Sequence, residues 1–188
     1  MLSKYIVGIN WVDFLSLGLV IRMCYIGVKT GAAIELFKLF SLWLAIVITF
    51  HVYTTPLSDI LNTKLPALPI DAGDVFVFCA LLAVITLVIR IIRESFFLLV
   101  KIEAHNILDR WGGFMIGMLR GLWISSIALF IMTISTIQYL ETSAKTSLFG
   151  SKLLNMAPAV YKGSYEGLIS KFLVSSKVNE EVSKAVNR

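Results

Sequence analysis

The run from Gly121 to Leu140, GLWISSIALFIMTISTIQYL, contains no Asp, Glu, Lys or Arg over twenty residues. A helix needs roughly 20 apolar residues to cross the ~30 Å hydrocarbon core of a bilayer. Inside lipid only helices and closed barrels satisfy their own backbone hydrogen bonds. Two further stretches repeat the pattern. One runs from Leu39 to Ser58, with Pro56 near its end; the other runs from Val75 to Ile89, closed by Arg90 and Arg93 and extending back toward Ala72. Composition agrees with this reading, since only 15% of the 188 residues are charged against about 25% in a soluble domain. The mean hydropathy of +0.84 leaves too little polar surface for a soluble monomer and excludes disorder.

A fourth span, over residues 5–28, is marginal. Twelve Leu, Ile, Val and Phe residues favour insertion by roughly 0.3–0.6 kcal/mol each, while Asp13 and Arg22 would each oppose it by roughly 2.5–3.5 kcal/mol at mid-helix. Nine residues of separation turn the two charges to opposite sides of a helix. They therefore cannot pair with each other. Arg22 is expected to snorkel to one interface and Asp13 to lie near the other surface. Asp13 and further apolar sequence stand where a cleavage site would follow a short apolar core, so a retained helix is favoured over a signal peptide.

The expected architecture is all-α: an integral membrane protein with four transmembrane helices and a short amphipathic C-terminal tail. The spans fall at about residues 5–28, 37–57, 72–92 and 112–140, forming a domain over 1–140. Residues 141–188 form the tail, partly frayed at its end. Basic residues cluster in the first connection (Arg22, Lys29, Lys38) and the third (Arg90, Arg93, Lys101, Arg110, Arg120), whereas the second has only Lys64 beside three Asp residues. These connections read as cytoplasmic, with both termini extracytoplasmic. The seven basic residues of the tail run against this assignment, but only Lys145 and Lys152 fall close to the membrane. The proline-containing second connection reads as an ordered extracytoplasmic loop. Residues 91–108 read either as an amphipathic helix on the membrane surface or as a continuation of the third span.

Residue types exclude most chemistry. His51 and His105 are isolated, and Cys24 and Cys79 each sit within apolar sequence, so neither a metal site nor a disulfide framework is expected. No nucleophile elbow or phosphate-binding glycine loop occurs, and the basic charge forms no solvated stripe interleaved with aromatics for nucleic acid. Trp11 and Trp111 suit interfacial anchoring.

The informative segment is Asp109–Gly121, DRWGGFMIGMLRG. Gly113, Gly117 and Gly121 recur every four residues, so on a helix they form one stripe, headed by Asp109 at a positive helix end. Small residues at this spacing let another helix approach closely in lipid. Arg120 lies one step off the stripe. The favoured reading is an overlong or broken helix whose first turns lie at the interface, with Arg120 snorkelling; a lined polar path is the alternative. Gly27 and Gly31, with Glu35 four residues on, repeat the arrangement. If the two glycine segments pack together, Glu35 pairs with Arg110 or Arg120.

These residues carry a resemblance. Asp109-Arg110, Gly113, Gly117 and Arg120-Gly121 resemble the D-R-x-x-G-x-x-x-G-x-x-R-G signature of the colicin V production protein (CvpA) family. Gly27, Gly31 and Glu35 are similar to that family's segment after its first span, and the WVD sequence near the start and the region of Ser151, Leu154 and Pro158 also look similar. Thr30 and Ile34 stand where relatives commonly carry basic residues. The resemblance implies a bacterial inner-membrane protein of four spans, linked to colicin V production or export and to envelope stress tolerance, with no established enzymatic activity. The expectation is a protein without catalytic residues or cofactor. It works in the lipid bilayer through a homo-oligomer or an envelope-protein partner and binds no nucleic acid. The alternative is a small channel or transporter subunit with Asp13, Arg22 and Arg120 along a polar path.

Overall fold

A computed structural model describes residues 10–52, 70–99, 107–135, 137–172, 178, 179, 182 and 185. The described elements are helical. Four are long and apolar enough to cross a membrane: α1 (Trp11–Thr30), α2 (Ala32–Val52), α3 (Ile70–Leu99) and α4 (Ile107–Ile134). Shorter helices follow at α5 (Gln138–Thr146), α6 (Gly150–Leu154) and α7 (Met156–Ser164), and then a π-helical turn over Tyr165–Ile169 and a last turn, α8 (Ser170–Phe172). The chain is a multi-pass membrane protein of all-α fold.

Local chemistry sets the ends of α1. The Asn10 side chain accepts from Trp11 N–H at 2.7 Å, and the Asp13 carboxylate accepts from Asn10 N–H at 2.8 Å. This reciprocal capping box starts the helix. At the other end Gly31 takes φ +83°, a conformation that glycine adopts without a Cβ penalty. One residue therefore separates α1 from α2. The first turn of α2 lies five residues before the expected start of the second span, because Gly31 alone completes the turn.

The helices are not equal partners. α4 is the most buried of the four spans and α3 the least. α4 packs along nearly all of α1 and also against α2, while α1 and α2 touch little beyond their shared hinge; α3 packs mainly against α2. α1 and α3 run opposite to α4, and α2 runs with it. At the Gly31 end of the bundle the helices meet through glycines and charges. At the far end Phe50, Phe78, Phe130 and Tyr161, from α2, α3, α4 and α7, form one fully buried group with Phe50–Phe130 centroids 4.7 Å apart.

α3 continues unbroken from the third span through Leu99, so the continuation reading applies as far as the described residues extend. The second connection lies outside them, as does His105. α4 ends at Ile134 rather than running on to residue 140, and a bend at residue 135 leads into α5. The segment after residue 140 folds back into the bundle. Ala144, Leu153, Leu154, Ala157 and Tyr161 are buried in the same core as Ile46, Phe50 and Leu129. Of the final dozen residues only a few are described, with Val182 in that core.

Candidate functional site

The glycines of α1 and α4 face each other across a seam with almost no side-chain atoms between them. A Cβ added at Gly117 would stand 2.6 Å from the Met23 carbonyl oxygen, and one at Gly121 would stand 2.8 Å from Val20 Cα. At Gly113 it would meet the backbone carbonyls of Gly27 and Gly31, and at Gly27 the Gly113 carbonyl. The obstacle at each position is backbone, which has no rotamer to yield. The four-residue spacing in α4 therefore matches a four-residue spacing in α1, and the two backbones pack directly, as small-residue stripes permit in lipid. Gly112, which the stripe did not single out, performs the same service toward α2: its Cβ would lie 2.8 Å from Ala32 Cβ. Its only sequence signal is its place in the Gly112-Gly113 pair.

Asp109 closes the top of this seam. It stands in the first turn of α4, yet its Oδ1 accepts from the Ala32 N–H at 2.8 Å. The carboxylate thus caps the start of α2, where backbone donors lack intrahelical partners. Asp109 stands at the start of its own helix, as expected, and caps a second one as well. Arg110, its neighbour, is exposed, and Glu35 pairs with Arg120 instead.

Glu35 is completely buried in the first turn of α2. Its Oε2 lies 2.6 Å from Arg120 Nη1, and its Oε1 lies 2.7 Å from Lys38 Nζ. The Thr30 hydroxyl sits 2.6 Å from Glu35 Oε1 and 3.0 Å from the Ile26 carbonyl, donating to one at a time. Thr30, at the position where the resemblance leads one to expect a basic residue, thus supplies a neutral donor to the buried acid. Arg120 is 7% exposed and near the middle of an unbroken α4. The helix is thus the overlong rather than the broken form, and Arg120 turns inward to Glu35 instead of snorkelling. An internal carboxylate stabilises the guanidinium where it is, and a second contact runs from Arg120 Nη2 to Met23 Sδ at 3.0 Å. Arg120 Nε has no hydrogen-bond partner among the described residues.

Asp13 serves the opposite end. Beyond capping α1 it accepts from the Ser147 hydroxyl and from the Phe149 and Leu148 N–H groups, the latter two at 2.9 and 3.3 Å. It fixes the turn that sends α6 back toward the bundle. Arg22 faces outward on α1 with no ion pair among the described residues. Among the described residues Asp13, Arg22 and Arg120 share no partner that would join them into a polar path.

Sequence reasoning missed four further anchors. Ser125 Oγ–H donates to the Ser16 carbonyl at 3.3 Å, and Ser126 Oγ accepts from Ala157 N–H at 2.8 Å. The Tyr161 hydroxyl accepts from Asn179 N–H at 3.0 Å and lies 3.1 Å from His51 Nδ1. Burial pushes the Tyr161 phenol above its usual range. Trp43 Nε1–H donates to Ser164 Oγ at 2.8 Å. Among the described residues no three His, Cys, Asp or Glu side chains group as metal ligands.

The family model described as "Colicin V production protein" matches residues 12–158. The match takes in α1 to α4 and extends past residue 140 to Pro158, through the turn held by Asp13 and the helix α6 that follows it. No curated protein and no solved structure matches the chain.

Proposed function

The chain belongs to the colicin V production protein family, and from that premise we propose that it is a non-catalytic protein of the bacterial inner membrane. It supports toxin (colicin V) production or export and envelope homeostasis by holding a rigid membrane surface for a second copy or an envelope-protein partner. Both termini are extracytoplasmic. The α1–α2 and α3–α4 connections face the cytoplasm, a reading supported by the basic residues Lys29, Lys38, Arg90, Arg93 and Arg110 at that end of the bundle.

One observation carries this reading. The family-signature residues Gly27, Gly31, Glu35, Asp109, Gly113, Gly117, Arg120 and Gly121 meet in a single seam, where they are used to hold α1, α2 and α4 against one another. A scaffold requires this economy. In lipid there is no hydrophobic drive between helices, so close van der Waals contact and internal polar bonds determine whether they stay together. The lightly buried α3, with Phe76, Val84, Leu87, Ile91 and Ile92 exposed along it, offers the surface for lipid or partner.

The test is complementation of a toxin-secreting strain that lacks the protein, with immunoblots to follow membrane levels. Gly117→Leu is expected to abolish secretion, whereas Asp13→Asn, Arg22→Gln and Arg120→Gln retain it in proportion to the folded protein present. Secretion lost in Asp13→Asn or Arg120→Gln at normal folded levels would favour the channel reading instead. Reporter fusions at residues 1 and 188 test the topology.

A further inference from the structure

A cleft of about 190 Å³ opens beside the ionic cluster, between α2, α3 and α4. Four cations line it: Lys38 from α2, Arg90 and Arg93 from α3, and Arg120 from α4. Among the described residues only two carboxylates stand against them. Glu35 is shared by Lys38 and Arg120, while Glu94 lies 2.7 Å from Arg90 Nε and 3.8 Å from Arg93 Nη2. Two positive charges are left unmatched among the described residues. Arg93 and Arg120 are close enough for their like charges to oppose each other. The buried Arg120 guanidinium also keeps an unpartnered Nε on this cluster.

Uncompensated cations are costly in a low-dielectric setting, so their convergence calls for an anion. Guanidinium groups present planar forks that match phosphate oxygens. The depth suits such a group. Arg90 and Arg93 occupy the last turns of the apolar span Gly73–Ser95, where phospholipid phosphates are found. The remaining wall combines the apolar Met23, Leu42 and Ile124, which accommodate the carbons flanking a phosphodiester, with the hydroxyl residues Ser41 and Thr86. Basic pockets between membrane helices recognise anionic headgroups on these grounds.

We propose that this cleft binds a phosphate-bearing anion through Arg93 and Arg120, with Lys38 and Arg90 at its sides. A phospholipid headgroup and free phosphate share this chemistry, and the experiment separates them. Thermal unfolding of the full chain in uncharged detergent is followed with added dioleoyl phosphatidylglycerol, with dioleoyl phosphatidylcholine, and with sodium phosphate against sodium chloride at equal ionic strength. Phosphatidylglycerol should raise the midpoint and phosphatidylcholine should not. Arg93→Gln should weaken the apparent affinity about tenfold, the loss of one charge-assisted contact, and Arg22→Gln should leave it unchanged. The exposed Arg90→Gln, which keeps the buried cluster intact, should show a smaller loss and serves if Arg93→Gln does not fold. A midpoint shift from phosphate alone assigns the site to the free anion and supports the proposal equally. No stabilisation by either phosphatidylglycerol or phosphate overturns it, as does stabilisation that Arg93→Gln and Arg90→Gln retain in full.

Discussion

The two ends of the bundle solve the same problem in opposite ways. At the Gly31 end, α1 and α4 meet backbone to backbone, and charged residues, Asp109, Glu35 and Arg120, tie in α2. At the Phe50 end large aromatic rings fill the space, and the returning segment α5–α7 supplies the last wall through Tyr161. The first end gains contact by deleting side chains and the second by interlocking them. The difference predicts how each tolerates change. Glycine against backbone cannot rearrange, whereas packed side chains relax in part around a deletion.

The largest effect should come at the ionic cluster. Glu35→Ala leaves the buried Arg120 and the half-buried Lys38 without their carboxylate and should cost about 3–5 kcal/mol, measured as reversible unfolding in mixed detergent. Glu35→Gln combined with Arg120→Gln should cost less than the two single changes added together. At the other end Phe50→Ala should cost about 3–5 kcal/mol on the scale of aromatic core deletions. It should also loosen the returning segment, read as faster proteolysis after residue 140, while the α1–α4 seam stays closed. Asp13→Ala removes an acceptor shared by Ser147, Leu148 and Phe149 and should cost about 1–3 kcal/mol with the same proteolytic signature. Asp109→Ala removes one helix cap and should cost about 1 kcal/mol. Replacement by Asn, itself a good cap, should recover most of that. Arg22→Gln should change stability by no more than about 0.5 kcal/mol.

How much the sequence discloses follows the same division. The seam was legible because a four-residue glycine period on two helices is a local pattern, and it marks which faces can meet. The Glu35–Arg120 pair was one of two options left by that pattern. The depth of Arg120 was not legible. An arginine at that depth is costly without a partner, and the partner, Glu35, is 85 residues away in sequence. The returning segment was hidden for a similar reason. Apolar residues at helical spacing around Leu153, Leu154 and Tyr161 look alike whether they rest on a membrane surface or fill a groove. The contacts that decide between these, Asp13 to Ser147 and Ser126 to Ala157, span 134 and 31 residues. Ser125 and Ser126 gave no signal, since small hydroxyls are ordinary within an apolar span.

The central claim is direct backbone contact between α1 and α4, and glycine-to-alanine replacement tests it within one helix pair. Gly117 has backbone 2.6 Å from the position of an added Cβ, whereas Gly18, also helical and on α1, has nothing within 4 Å. Unfolding free energies of Gly117→Ala and Gly18→Ala should therefore part in sign. The first should lose about 1–3 kcal/mol, as overpacking does. The second should be neutral or gain up to about 1 kcal/mol from helix propensity. Equal tolerance at both positions would contradict the seam.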